Sequence, residues 1–119
     1  MNRDFRPAGQ HLLADLQGIE PALLRDPDQI NAMLREAALA AGARILHGHF
    51  HTFGEGMGVT GVLLLAESHI SIHTWPESRF AAVDIFMCGL AQPERALHVI
   101  HQALQPLARN VRIVERGQL

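Results

Sequence analysis

Apolar positions along this chain recur with two different periods, and the changes of period mark its elements. Gln10-His11-Leu12-Leu13-Ala14-Asp15-Leu16 reads as a short strand ending near Gly18. Asp26 then offers a helix N-cap, Pro27 fits the first helical position, and Ile30, Met33, Leu34, Ala37, Ala38 and Ala41 follow at helical spacing until Gly42. From Arg44 to Phe53 the pattern alternates, with the odd positions from Ile45 to Phe53 holding His47, His49 and His51, and Gly54-Glu55-Gly56-Met57-Gly58 breaks it as a flexible turn. Val59 to Ala66, His69 to Trp75 and Ala81 to Met87 read as three further strands, the second closed by Pro76, which cannot continue a central ladder. Gln92-Pro93-Glu94 opens a second helix with Leu97, Ile100, His101 and Leu104 on one face, stopped by Pro106. Asn110 to Glu115 alternates again as a last strand. The order β-α-β-β-β-β-α-β predicts an α+β fold, an antiparallel sheet with two helices on one face in a two-layer sandwich.

Composition narrows the setting. The chain has 119 residues, 48% of them hydrophobic, so a single domain over residues 1–119 can bury a core of its own. A net charge of −2, with the basic residues scattered along the chain, leaves no stripe to neutralise phosphates and argues against a nucleic-acid partner. No window has the length of a membrane span and residues 1–7 hold no apolar leader core, which predicts a protein off the membrane, in the cytoplasm. One cysteine, Cys88, cannot pair within the chain and suits a reducing compartment.

Three polar groupings carry candidate chemistry. His47, His49 and His51 put three imidazoles on one face of a strand at about 7 Å spacing. No Asp, Glu or Cys joins them within the strand, so a solvated face explains them better than a metal shell, and no metal is assigned. Cys88 ends an apolar strand just before Gly89, where a thiol is either a small buried hydrophobe or an acid whose partner decides its role. The third grouping is Ala66-Glu67-Ser68-His69-Ile70-Ser71-Ile72-His73-Thr74-Trp75-Pro76-Glu77, polar chemistry directly after the apolar run Val62 to Leu65. In an extended chain His69, Ser71, His73 and Trp75 share one face while Ser68, Ile70, Ile72 and Thr74 share the other. There is no G-x-S-x-G around Ser68, which argues against a hydrolase triad.

The run Glu67 to Glu77, followed by Ala81-Ala82-Val83-Asp84-Ile85-Phe86 and by Cys88-Gly89, resembles the prokaryotic S-adenosylmethionine decarboxylase proenzymes. The resemblance extends to Gly9-Gln10-His11-Leu12-Leu13-Ala14-Asp15-Leu16 and to Arg116-Gly117. It implies that the chain cuts itself between Glu67 and Ser68 into residues 1–67 and 68–119, with Ser68 attacking the carbonyl of Glu67. In that family Ser68 becomes a pyruvoyl group, the cofactor that condenses with the substrate amine. By the same resemblance His73 is the processing base, Thr60 stands where serine is common and supports processing, and Cys88 is the acid that returns a proton to the substrate. Phe53 is similar to the aromatic that stacks on adenine, and Glu77 to the acid that binds the ribose hydroxyls.

The implied reaction turns S-adenosylmethionine into its decarboxylated form, the aminopropyl donor of spermidine synthesis. The implied assembly is a homodimer of cleaved protomers, joined sheet to sheet or edge to edge. Ser78-Arg79-Phe80 replaces the family's usual Tyr-Gly-Tyr, and Met87 its usual Thr. These departures keep a free basic amino acid, arginine or ornithine, open as an alternative substrate, and Arg79 would oppose it by repelling a cationic tail if it faced the pocket. A processing-dead homologue acting as a binding protein and a histidine-rich metal module are the readings outside this enzyme class.

Overall fold

The computed structural model describes residues 8–117. Its elements follow the predicted order: β1 (Gly9–Gln17), α1 (Pro27–Ala40), β2 (Ile45–Thr52), β3 (Val59–Leu65), β4 (Ser68–Trp75), β5 (Phe80–Cys88), α2 (Pro93–Leu104) and β6 (Ala108–Arg116). The strands form one six-stranded antiparallel sheet in the order β2-β3-β4-β5-β1-β6. Because β1 pairs with both β5 and β6, the end of the chain is stitched to its beginning across the sheet.

Local chemistry accounts for the helix ends. Asp26 Oδ1 accepts the backbone N–H of Asp28 at 2.9 Å and of Gln29 at 3.4 Å, satisfying donors that the first turn of α1 leaves free. Pro93 takes the first position of α2, where a missing N–H costs nothing. Ile30, Met33, Leu34, Ala37 and Ala38 of α1 are buried, as are Ala96, Leu97, Ile100 and Leu104 of α2. Both helices lie on one face of the sheet, α1 against β2 and β3 and α2 against β5 and β1.

The strands bury their other residues against them: Leu12, Ala14 and Leu16; Val59, Leu63 and Leu65; Ile70 and Ile72; Ala81, Val83, Ile85 and Met87. At roughly 1.5–3 kcal/mol for each large side chain removed from water, this face is the main favourable term in folding. Among the described residues the opposite face carries no helix and holds Leu13, Val62, Leu64, Trp75, Phe80, Phe86 and Val114 half-buried or exposed.

Two local differences from the sequence pattern have physical causes. Pairing between β2 and β3 shifts between Ile45 and His47, so Leu46 is an extra residue in a bulge. Ile45 therefore turns to the core while His47, His49 and His51 face the open side, although all four are odd positions. The strand expected to run through Ala66 stops at Leu65, and Ala66-Glu67 makes a tight turn into β4 with Glu67 at φ 59°.

Candidate active site

The long polar run occupies β4 and both of its ends, and the two ends are separate places. At the start of the strand, the Cys88 backbone N–H donates to Ser68 Oγ at 3.3 Å. Glu67, Ser68, Cys88 and Gly89 line a cavity of about 250 Å³ with Arg44 and Leu90. Glu67 is one of three non-glycine residues with positive φ among the described residues. A left-handed backbone of this kind costs on the order of 1–3 kcal/mol, and here it adjoins the Glu67-Ser68 peptide bond.

The thiol is held by its neighbours on β1. Gly9 sits opposite Cys88 in the ladder, and a Cβ there would lie 2.9 Å from Cys88 Sγ and 2.5 Å from the Met87 carbonyl oxygen. Only glycine leaves the sulfur its place. Burial, and then the charge of Glu67, push the Cys88 thiol above its ordinary range, so it stays protonated at neutral pH. A protonated thiol is a proton donor rather than a nucleophile, and it is the Cys88 backbone N–H that contacts Ser68.

At the far end of β4 a larger cavity, about 480 Å³, is lined by Phe53, Met57, Thr60, His73, Trp75 and Glu77. His73 Nδ1 and Thr60 Oγ1 are 3.1 Å apart, joined across the β3–β4 register. Trp75 lies between His73 and Phe80 in a tilted aromatic row, with ring centroids 6.2 and 5.4 Å apart. Phe53 and Met57 belong to the glycine-rich turn between β2 and β3, closed by bonds from Phe53 N–H to the Gly58 carbonyl and from Met57 N–H to the Gly54 carbonyl. Gly58 is required there, because a Cβ would run into the Thr74 carbonyl oxygen.

The seven residues implied by the resemblance thus fall into two groups. Glu67, Ser68 and Cys88 meet at one end of β4; Phe53, Thr60, His73 and Glu77 meet at the other. Ser68 and His73 lie on the same strand five residues apart, or about 16 Å at the rise of an extended chain. Within this chain His73 cannot reach Ser68.

Other residues stand away from both groups. His47, His49 and His51 are exposed on the edge strand, and no set of three His, Cys, Asp or Glu among the described residues is arranged to hold a metal. Arg79 turns away from the larger cavity: its Nε donates to the Ile19 carbonyl at 3.3 Å and its guanidinium is 3.5 Å from Glu20. Met57 and Trp75, which complete the apolar lining, were not singled out from sequence as site residues. The signal for Trp75 was its place on the face of His73; Met57 sits in a turn with no periodicity to read.

Comparison with known proteins identifies the family. The family model described as S-adenosylmethionine decarboxylase matches residues 10–117. An S-adenosylmethionine decarboxylase proenzyme of Parasynechococcus marenigrum is 45% identical over 109 residues, covering 91% of this chain and 84% of the relative. The protein of the same name from Methanococcus maripaludis strain C5 is 43% identical over 114 residues, 95% and 93% of the two chains. The crystal structure of the adenosylmethionine decarboxylase of Aquifex aeolicus superposes with a TM-score of 0.87 at 37% identity, covering 96% of this chain and 94% of the other. This chain belongs to the S-adenosylmethionine decarboxylase family.

Proposed function

We propose that this chain is a self-processing decarboxylase of S-adenosylmethionine, working as a homodimer of cleaved protomers in which each active site takes one half from each chain. The observation that carries this reading is the separation of the two halves along β4. A base about 16 Å from the residue it must serve does nothing in its own protomer. Stacking two open sheet faces about a two-fold axis perpendicular to β4 lays the Ser68 end of one chain over the His73 end of the other. The same contact covers Leu64, Trp75, Phe80 and Phe86, apolar surface that a solvated sheet face does not favour.

In this site Ser68 Oγ attacks the carbonyl carbon of Glu67, and the peptide bond becomes an ester. The left-handed backbone at Glu67 is relieved as that bond rearranges. The partner's His73 then removes the Cα proton of residue 68. The tautomer that donates Nδ1–H to Thr60 Oγ1 leaves Nε2 free as the base. Elimination breaks the ester, releasing residues 1–67 with a free carboxylate at Glu67, and the dehydroalanine left at position 68 hydrolyses to a pyruvoyl group with loss of ammonia. Thr60 in place of serine keeps the hydroxyl and adds a methyl group.

The surroundings of Ser68 fit such a group. The Cys88 N–H points at the oxygen of residue 68, Gly9 leaves the thiol room, and the adjoining cavity of about 250 Å³ gives a substrate head group access. The pyruvoyl supplies a ketone that holds the substrate amine and accepts the electrons freed when carbon dioxide leaves. Cys88, protonated at neutral pH, puts the proton on the substrate carbon. Phe53 stacks on adenine and Glu77 accepts from the ribose hydroxyls, and an apolar, acid-bearing cavity also suits a sulfonium cation.

With Arg79 turned toward Glu20, its charge no longer argues against arginine or ornithine. The preference for S-adenosylmethionine rests instead on Phe53, Met57 and Trp75 around Glu77, a lining for a nucleoside, and on the names of the relatives. Intact mass decides the processing: wild type separates into fragments of 67 and 52 residues (119 − 67), the second blocked by pyruvoyl, while Ser68→Ala stays whole. Wild type that remains one chain after warming sinks the proposal.

A further inference from the structure

On the open face, two imidazoles flank Cys88 from opposite sides. His69 of β4 and His11 of β1 both pair with Phe86 of β5, and Cys88 is two residues further along the same face. Each imidazole is therefore a diagonal neighbour of the thiol, roughly 7–8 Å away and somewhat less between Cβ atoms, within reach of the imidazole side chains directly or through one water. The rings of His11 and His69 are 6.1 Å apart, edge to face. His11 Nε2 is buried with no hydrogen-bond partner among the described residues, 3.4 Å from Asp84 Oδ1 but poorly aligned with it. Among the described residues, the other charged groups of β1 and β6 on this face are Asp15 of β1, Arg116 of β6, whose guanidinium lies 5.6 Å from the Phe86 ring centre, and Arg112 of β6. Glu67 adjoins the thiol from the turn.

The reaction needs what such a pair can give. Decarboxylation takes neutral carbon dioxide from a carboxylate and leaves one proton on the carbon, so each turnover consumes a proton and leaves Cys88 as a thiolate. Once a partner covers the open face, bulk water no longer reaches that sulfur freely.

We propose that His69 and His11 form the proton reservoir of Cys88, returning to the thiolate after each turnover the proton it has given away. The imidazolium N–H breaks, the S–H forms, and the neutral imidazole takes its next proton from solvent, with Asp84 holding His11 in place. The direction of transfer is favourable. Burial, and then the charge of His11, hold His69 below the ordinary imidazole range against the opposing pull of Asp84, while the thiol lies above its own range. The inference rests on Cys88 as the proton donor of the proposed function.

His69→Gln, His11→Gln and the double variant test it. In cleaved enzyme, kcat should fall about 10-fold in the double variant with KM unchanged, less than the ~10² to 10⁴ that loss of the donor itself costs. Added imidazole should restore the rate where sodium chloride of equal ionic strength does not. An unchanged rate, or a fall that imidazole leaves uncorrected, overturns the relay. Should the variants fail to cleave, the uncut Ser68→Ala protein decides through its sole cysteine. Alkylation of Cys88 by iodoacetamide should then show a shoulder in the pH range where imidazoles titrate, lost in the double histidine variant; a single thiol inflection in both overturns the relay. Full turnover in Cys88→Ala would instead remove the donor reading on which the relay stands.

Discussion

The two ends of β4 differ in backbone, burial and surroundings as well as in chemistry. At Ser68 the chain turns tightly, Glu67 is held left-handed, and the thiol opposite is fixed by a glycine that nothing larger can replace. At Trp75 the side chains are open to solvent: Phe53 is 62% exposed and Trp75 40%, around a cavity nearly twice as large and closed by a glycine-rich turn. On the proposed reading, bond-breaking groups sit where the backbone is strained and over-determined, and recognition groups sit where a loop can adjust to a ligand. One extended strand keeps the two ends apart. On the proposed reading, laying the machinery along a strand makes assembly part of catalysis.

The sharpest way to break this comparison is to inactivate each end in a different chain. Ser68→Ala and His73→Ala, expressed separately, should both remain uncut, the first for want of an attacking oxygen and the second for want of a base. Expressed together, mixed dimers pair the intact Ser68 of one chain with the intact His73 of the other. Cleavage should then appear in the His73→Ala chains alone, with activity rising from none to a clear fraction of wild type. Two uncut chains in a mixed dimer verified by mass spectrometry would mean that the ends do not meet across an interface.

The next test separates duties within the Ser68 end. Cys88→Ala keeps Ser68, Glu67 and the partner's His73, so self-cleavage should proceed. Turnover of S-adenosylmethionine should fall by about 10² to 10⁴, the usual cost of a missing general acid. Equal loss of cleavage and turnover would merge two roles that are kept distinct here.

Much of this was legible in the sequence, and for different reasons at different places. The elements were readable because the caps are chemical: Asp26-Pro27 and Gln92-Pro93 start the helices, and alternation marks the strands. Which faces the residues of β4 take follows from period two alone, and the structure agrees for Ile70, Ile72 and Thr74 against His73 and Trp75. The bulge at Leu46 was not readable, because one inserted residue changes the face of Ile45 without changing the apolar pattern. Nor was the turn at Ala66-Glu67, which lacks the glycine or asparagine that a left-handed position ordinarily takes. That silence has the same source as the chemistry, since a local rule is broken beside the bond proposed to be cut. The grouping of Cys88 with Ser68 depends on the β4–β5 register, a long-range fact that no local pattern holds.

A smaller effect probes the recognition end by itself. Glu77 lines the larger cavity and takes no part in the Ser68–Cys88 contact, so Glu77→Gln should leave cleavage intact. A hydrogen bond to a charged partner is worth about 1.5–3 kcal/mol, so exchanging the carboxylate for an amide should raise KM for S-adenosylmethionine by about 10-fold with kcat little changed. Labelled carbon dioxide release from S-adenosylmethionine, arginine and ornithine, measured side by side, checks the substrate as well. Release from a free amino acid alone would move the assignment while leaving the pyruvoyl chemistry in place.

The smallest expected effect lies just past the recognition end, at Arg79. This residue caps the short 3-10 turn Pro76–Ser78 at φ 54°, a left-handed position where glycine is at ease and arginine is not. What arginine gains there is modest: an exposed pair with Glu20 at 3.5 Å, of a kind usually worth between nothing and about 1 kcal/mol, and one bond to the Ile19 carbonyl. Relief of the left-handed strain is worth about 1 kcal/mol and is offset in part by those two losses and by the freer unfolded chain that glycine brings. Arg79→Gly should therefore move the urea midpoint by less than about 1 kcal/mol equivalent, toward greater stability. Because Arg79 faces away from Phe53 and Glu77, KM for S-adenosylmethionine should not change. A KM shift of several-fold at unchanged stability would place Arg79 in the pocket after all and draw the recognition end wider than Phe53 to Glu77.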